Sequence, residues 1–325
     1  MASPLWQSYD RHASAYARQL DPTLVGPAER VVDLAEARNG VRVLDLATGT
    51  GAIARAAAAR GASVVAIDAS AGMLEVARML SPELDVHLGD AGALPFGGSE
   101  FDAVTCGLSI SHFADLENAL AEVLRVLRPG GTFVASAWTE GSSIPTRTVF
   151  ETLDRCAAAD NTLDEETWSR RRRGADVLRA AGFTNVSVRT ESFRGEFADA
   201  DAALEWATAW PLTAERLARL ESSRRDEFLS EARDALATMS LSWSFTFNFY
   251  TSRRKADQAK RSAPRSAGDA RHPVTRAVSP PSGDRSGGVG CASPSSPLPA
   301  YAVCGPRACA ASAARQVPGS SAARG

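Results

Sequence analysis

Three short turns in the first hundred residues carry the side chains best suited to hold a ligand. The first follows Val43-Leu44-Asp45-Leu46 and reads Ala47-Thr48-Gly49-Thr50-Gly51. Small residues let a backbone approach a bound group closely, and a helix that follows presents unpaired N–H groups to it. The spacing Gly49-x-Gly51-x-x-Ala54 also satisfies the dinucleotide fingerprint, so this loop does not separate one adenosine-bearing ligand from another, and a plain tight turn uses the same residues. The second turn is Asp68-Ala69-Ser70, after Val64-Val65-Ala66-Ile67. A carboxylate at such a strand end can accept both hydroxyls of a ribose, or it can cap the next helix. The third is Gly89-Asp90-Ala91-Gly92. Asp90 can accept the exocyclic amine of an adenine, with Met73 and Leu94 in apolar contact with the ring, or it can hold a turn ahead of Gly92.

The elements around these turns alternate. Strand patterns occupy Val41–Leu46, Ser63–Ile67, Leu84–Leu88, Phe101–Cys106 and Thr132–Ala137. Helical patterns run from the glycine loop through Arg60, over Ala71–Leu80, and over Leu116–Leu127, the last stopping at Pro129-Gly130-Gly131. Strand–helix repeats with short loops predict βαβ units and a parallel sheet, with right-handed crossovers placing helices on both faces. Farther on, Gly174–Gly182 reads as a short helix, Asn185–Phe193 as a strand, 200–239 as mostly helical and Ser244–Ser252 as a final strand. The expected fold is therefore α/β: a Rossmann-like, doubly wound, mostly parallel sheet with a helical cap, about 199–240, inserted before the last strand. Its domain spans 1–254.

From 255 to 325 the composition shifts to Ala, Ser, Pro, Gly and Arg, with one Leu, one Tyr and no Ile, Phe, Trp or Met. Such a segment buries too little apolar surface to offset its ordering entropy, so a disordered basic tail is expected. Ten basic side chains against three acidic ones make it about +7, and the rest of the 325-residue chain about −9, which together give the net −2. An acidic folded part argues against a nucleic-acid partner, because phosphates are held by Lys and Arg clusters. No run of eighteen apolar residues suggests a membrane span, and the first eighteen residues lack the apolar core of a signal peptide, so a cytoplasmic location is expected. Five cysteines without metal-ligand spacing suggest free thiols and no bound metal.

In their order, the three turns resemble the class I S-adenosylmethionine-dependent methyltransferases, notably the branch that includes the ubiquinone/menaquinone-biosynthesis methyltransferases. Phe101-Asp102-Ala103-Val104-Thr105 and Leu120-x-Glu122-x-x-Arg125-Val126-Leu127-Arg128-Pro129-Gly130-Gly131 share in the resemblance. It runs from about Tyr9 to Lys255, with its specific part between Val41 and Trp138. It implies S-adenosyl-L-methionine as cofactor. Ala47, Gly49, Thr50 and Gly51 would hold the methionine part, Asp68 with Ala69 the ribose, and Asp90, Ala91 and Met73 the adenine. Gly107 would offer backbone near the methionyl group, and Tyr16, in Tyr9-Asp10-x-x-Ala13-x-x-Tyr16, would cover the cofactor. Ala47-Thr48 departs from the commoner Gly-Cys or Gly-Gly pair, narrowing the loop slightly.

The resemblance further implies in-line displacement at a sulfonium methyl. With no Asn/Asp-Pro-Pro-Tyr/Phe motif in the sequence, small-molecule O-, N- or C-methylation is expected, and the GC-rich style of the sequence suggests secondary metabolism. A neutral alcohol acceptor needs a base, and His112, in Ser109-Ile110-Ser111-His112-Phe113, is the candidate, with His12 a second choice. Trp6, Tyr9, Ser111, Trp138, Trp206 and Trp210 could form an aromatic acceptor pocket, although tryptophans pack cores equally well. The run Arg170–Arg173 reads as a solvated helix face, with contact to an acidic acceptor as the alternative. Two other readings stay open: an NAD(P)-dependent oxidoreductase, for which no acid–base set is evident, and a protein that binds the cofactor without methylating. The expected assembly is a monomer or homodimer.

Overall fold

Strict alternation along the central strands builds two cores, one on each face of a single sheet. β1 (Arg42–Leu46) sends Val43 to one face and Leu44 and Leu46 to the other, and β4 (Phe101–Gly107) divides Ala103 from Val104 and Cys106 in the same way. β2 (Ser63–Asp68), β3 (Asp85–Leu88) and β5 (Leu127–Trp138) complete the parallel part. β6 (Thr184–Glu196) and β7 (Ser242–Arg253) then add an antiparallel edge, giving the order β3-β2-β1-β4-β5-β7-β6. This computed structural model describes residues 5–139, 145–156 and 174–256. The tail expected from 255 and the run Arg170–Arg173 lie outside the described residues, apart from 255 and 256.

The helices follow from local chemistry. Gly51, at φ 87°, caps α3 (Ala52–Ala59), whose Ala54 and Ala57 are small enough to lie flat on the sheet. Ser70 caps α4 (Ala71–Leu80) by accepting from the Met73 N–H at 3.1 Å. Asp115 does the same for α5 (Leu116–Val126), whose Ala119, Leu120, Val123 and Val126 form one buried stripe. α6 (Arg147–Cys156) and α7 (Gly174–Ala180) follow later in the chain. The helical excursion before β7 is three helices, α8 (Ala200–Thr208), α9 (Pro211–Ala218) and α10 (Ser222–Ala237). Their Leu204, Leu217 and Phe228 join the same core as Phe245, Phe247 and Phe249 of β7, so this cap is part of the domain.

Two N-terminal helices, α1 (Leu5–Gln19) and α2 (Asp21–Leu34), complete the domain. The sequence pattern assigned no element to α2 or to α6. In α2 three helix breakers, Pro22, Gly26 and Pro27, hide the periodicity, yet Pro22 sits in the first turn, where its missing N–H costs nothing. β5 begins at Leu127, five residues before the strand pattern. Leu127 pairs with Phe101, the register then shifts, and pairing resumes at Thr132 opposite Ala103, so Arg128–Gly131 form a bulge where a free turn was expected. Arg254 holds this bulge, accepting from the Gly130 N–H at 3.0 Å and donating to the Gly131 carbonyl at 2.9 Å.

Two carboxylates tie these layers together. The Asp10 carboxylate of α1 accepts from Ser70 Oγ at 3.0 Å and the Gly72 N–H at 2.6 Å, docking α1 on the start of α4. Asp45, 1% exposed, accepts from Thr48 Oγ1 at 2.6 Å, Thr105 Oγ1 at 2.7 Å and the Ala54 N–H, locking β1 to β4 and to α3. Burial nevertheless pushes its carboxyl up from 3.8 to about 6, with those three donors pulling the other way.

A methyl at Gly72 would lie 2.4 Å from the Asp10 carbonyl oxygen. Gly72→Ala should therefore pry α1 away, overpacking by about 1–3 kcal/mol; hydrogen exchange should speed up over residues 5–19, and unchanged exchange there refutes the docking. Because folded Asp45 holds its proton more tightly than the unfolded chain does, its contribution to stability falls as pH rises from about 4 to 6 and is level above that. Asp45→Asn has no charge to bury, so its unfolding free energy should gain on wild type by on the order of 3 kcal/mol across that window. A pH-independent difference in denaturant unfolding sinks this account.

Candidate functional site

The strand order reverses around β1, whose neighbours are β2 on one side and β4 on the other. Loops leaving β1 and β4 consequently diverge to opposite faces and open a crevice at the carboxyl edge, the usual ligand position in such sheets. A cavity of about 620 Å³ occupies it, within the range of small-molecule sites. Parts of all three turns line this cavity: Ala47, Gly49 and Thr50 from the first, Asp68 and Ala69 from the second, Asp90 and Ala91 from the third.

The first turn is held from below. Asp68 Oδ2 accepts from the Gly49 N–H at 2.8 Å, and its Oδ1 accepts from the Ser70 N–H at 2.9 Å. The helix cap belongs to Ser70, so Asp68 braces two turns where a simple cap was the alternative. Burial raises the Asp68 carboxyl, opposed by its backbone donors. Gly49 takes φ 57°, as a glycine can at no steric cost. Gly51 does not reach the cavity; its N–H is bonded to the Thr48 carbonyl at 2.9 Å, and its part is to start α3. Thr48, expected to narrow the loop, turns its hydroxyl to Asp45.

Asp90 serves the third turn, accepting from the Gly92 N–H at 2.8 Å, while its side chain borders the cavity. Met73 lines the cavity too, whereas Leu94 is buried in the core and is not among the lining residues. Gly107 lines it beside Ile53, and a methyl there would lie 2.5 Å from Ile53 Cδ1. Tyr16 closes the top from α1. Its phenol is held well above its ordinary value by burial, and further by Tyr9, Asp21 and Asp68, so it remains a neutral donor.

On the acceptor side the structure separates the expected residues. His112, Tyr9 and Trp6 line the cavity, with the Tyr9 and His112 rings 5.8 Å apart and Trp6 42% exposed at its mouth. Ser111 faces a separate small recess beside Ile110 and Tyr250. Trp138, Trp206 and Trp210 stand in an aromatic core: Trp206 stacks on Phe245 at 5.1 Å, Trp138 packs on Phe247 at 4.5 Å, and Trp210 meets the Tyr16 edge at 6.2 Å. They support the wall and are not its surface. His12 lies 3.3 Å from Glu215 of α9, also off the cavity. The buried Cys106 thiol is pushed up by desolvation and is no nucleophile at neutral pH.

The pattern did not disclose the apolar floor. Leu24, Pro27, Ala28 and Val31 of α2 supply it, and Asp21 at the start of α2 lines the cavity beside Thr50. Asp21-Pro22 is a helix-start signal that could have revealed this element. Five carboxylates, Asp21, Asp45, Asp68, Asp90 and Asp115, border the cavity, and no Lys or Arg is among its described lining residues. Such a field attracts a ligand carrying positive charge and repels a pyrophosphate. That fits the sulfonium and ammonium of S-adenosylmethionine better than a dinucleotide. Among the described residues no group of His, Cys, Asp or Glu is arranged to hold a metal, and no described helix is long and apolar enough to cross a membrane.

Comparison with known proteins agrees. Residues 44–135 match the family model described as a methyltransferase domain. The chain is 40% identical over 146 residues to a demethylmenaquinone methyltransferase of Renibacterium salmoninarum, covering 44% of this chain and 62% of that one. It is 36% identical over 173 residues to a demethylmenaquinone methyltransferase of Streptomyces avermitilis, covering 49% and 75%. A malonyl-[acyl-carrier protein] O-methyltransferase of Salmonella typhimurium is 32% identical over 171 residues, covering 53% and 65%. The match thus spans less than two thirds of the first and third of these relatives. With its glycine loop, acidic strand ends and sheet order all in place, the chain belongs to the class I S-adenosylmethionine-dependent methyltransferases, and S-adenosylmethionine is its cofactor.

Proposed function

We propose that this protein transfers a methyl group from S-adenosylmethionine to a small-molecule acceptor, and that residues 1–254 are the catalytic domain. The observation that carries this reading is the cavity spanning the ends of β1, β2, β3 and β4, lined by carboxylates with no Lys or Arg among its described lining residues. When bound, the cofactor supplies an electrophilic methyl group on a cationic sulfur. Asp68 would accept the ribose hydroxyls with the lone pairs its backbone donors leave free, and Asp90 the adenine amine, with Met73 against the ring. Gly49, Thr50 and Gly107 would bring backbone to the amino-acid portion.

Tyr9 and Tyr16 of α1, over the cavity, would exclude water and hold the reactants in line, and orientation of this kind can contribute about 7–11 kcal/mol at best. His112, which lines the cavity, would take the proton of a hydroxyl acceptor; an amine acceptor in its free form needs no such help. The acceptor portion would rest on Leu24, Pro27 and Ala28 of α2, in place of the tryptophans read from the sequence. We further infer a cytoplasmic location and the absence of a nucleic-acid partner, the second supported by the acidic balance of residues 1–254.

Incubation with labelled methyl donor and a panel of aromatic, sugar and terpenoid acceptors tests the activity; binding without transfer to any of them supports the non-methylating alternative. Asp68→Ala should weaken S-adenosylhomocysteine binding tenfold or more, about 1.5–3 kcal/mol for lost charge-assisted bonds, and unchanged affinity in calorimetry removes Asp68 from the site. His112→Ala should reduce kcat at least tenfold on a hydroxyl acceptor without changing cofactor affinity. Wild-type turnover in that variant leaves alignment as the whole mechanism.

A further inference from the structure

Among the buried cavity carboxylates, Asp21 stands out because its partners are fewer than those of Asp45 and Asp68. Asp45 has three donors, and Asp68 accepts from the Gly49, Ala69 and Ser70 N–H groups. Asp21 is only 8% exposed, yet its two oxygens share a single hydroxyl, Thr50 Oγ1, at 2.8 and 2.7 Å. A carboxylate can accept about four hydrogen bonds. Its cationic neighbour, Arg55, reaches it with Nη2 at 3.4 Å, while the other arm of that guanidinium is engaged by the Thr50 carbonyl. Its position in the first turn of α2 offsets part of its charge. Part of the desolvation cost is left unmet: burial raises this carboxyl above its ordinary value, with Thr50 and Arg55 pulling the other way.

The location says what would complete it. Asp21 lines the cavity next to Gly49 and Thr50, the loop proposed above to carry the amino-acid portion of the cofactor, and Tyr16 lies within electrostatic reach of both Asp21 and Asp68. We infer that Asp21 is the anionic partner of the cofactor's α-ammonium group, fixed in aim by Thr50 and screened from water by Tyr16. The inference rests on the cofactor placement proposed above and adds a residue that neither the motif pattern nor the resemblance singled out. Through Thr50 the same carboxylate ties α2 to the glycine loop. A bound ammonium adds a direct, desolvated ion pair to that tie.

Calorimetry with two ligands separates ammonium recognition from a purely structural latch. S-adenosylhomocysteine carries the amino-acid portion, and 5′-methylthioadenosine lacks it. Asp21→Asn keeps the shape and an acceptor for Thr50, so it should lose tenfold or more in affinity for S-adenosylhomocysteine while binding 5′-methylthioadenosine within twofold of wild type. Equal losses for both ligands, or no loss for either, overturn the inference. Should the variant fail to fold, wild-type protein still decides: the S-adenosylhomocysteine analogue without its α-amino group should bind at least tenfold more weakly than the parent, and equal affinity overturns the assignment. Wild-type protein that binds neither ligand overturns the function proposed above, and this inference with it.

Discussion

One aspartate touches all three turns of the site. The side chain of Asp68 receives the Gly49 and Ser70 N–H groups, and its backbone carbonyl receives the Gly89 N–H at 2.9 Å. This convergence depends on the parallel register, which sets Leu46 beside Ile67 and Asp68 beside Leu88, so that the ends of β1, β2 and β3 stand abreast. From Asp68 the network continues through Ser70, which caps α4 and donates to Asp10 of α1. The shape of the glycine loop, the start of α4 and the seat of the covering helix are therefore set together. Disturbing one carboxylate loosens a floor, a wall and a roof.

The same sharing of donors explains why the crevice is acidic. A buried carboxylate without a full set of donors is costly, and several of them bordering one cavity raise each other's energy. Asp45 and Asp68 offset only part of that cost internally with hydroxyl and backbone donors. What remains is a field that a cationic ligand relieves on entering. Binding and stability are then coupled: a ligand that favours the folded crevice also stabilises the fold. The cation need not come from the protein, which accounts for an unbalanced cavity wall in a domain whose surface is otherwise laced with ion pairs such as Arg30–Glu191 and Arg42–Glu100.

The strands and the three turns were legible because each is written in a few contiguous residues. A buried parallel strand needs a short apolar run, and a turn needs its glycine or aspartate in place. What could not be read is which distant surface covers the crevice. Trp138, Trp206 and Trp210 carry the side-chain chemistry of an aromatic pocket, but whether an indole faces a ligand or a neighbouring ring is decided by packing between β5, β7 and the cap helices. The contribution of α2 was hidden for a different reason. Its prolines and glycine mask a helical repeat whose apolar face, Leu24, Ala28 and Val31, is plain once the helix is granted.

The departure at Ala47-Thr48 shows how such a loop can be kept rigid by other means. Ala47 adopts φ 53°, a left-handed conformation that costs a residue with a β-carbon about 1–2 kcal/mol and a glycine almost nothing. The neighbouring threonine offsets this. Its hydroxyl reaches Asp45 at 2.6 Å, and a buried hydrogen bond to a charged group contributes about 1.5–3 kcal/mol. An alanine also has fewer unfolded conformations to lose than a glycine. The pair therefore exchanges a flexible, unstrained turn for a strained one bolted to β1. A loop whose task is to bring its backbone close to a ligand gains from that exchange, because a backbone already in position needs no ordering when the ligand arrives.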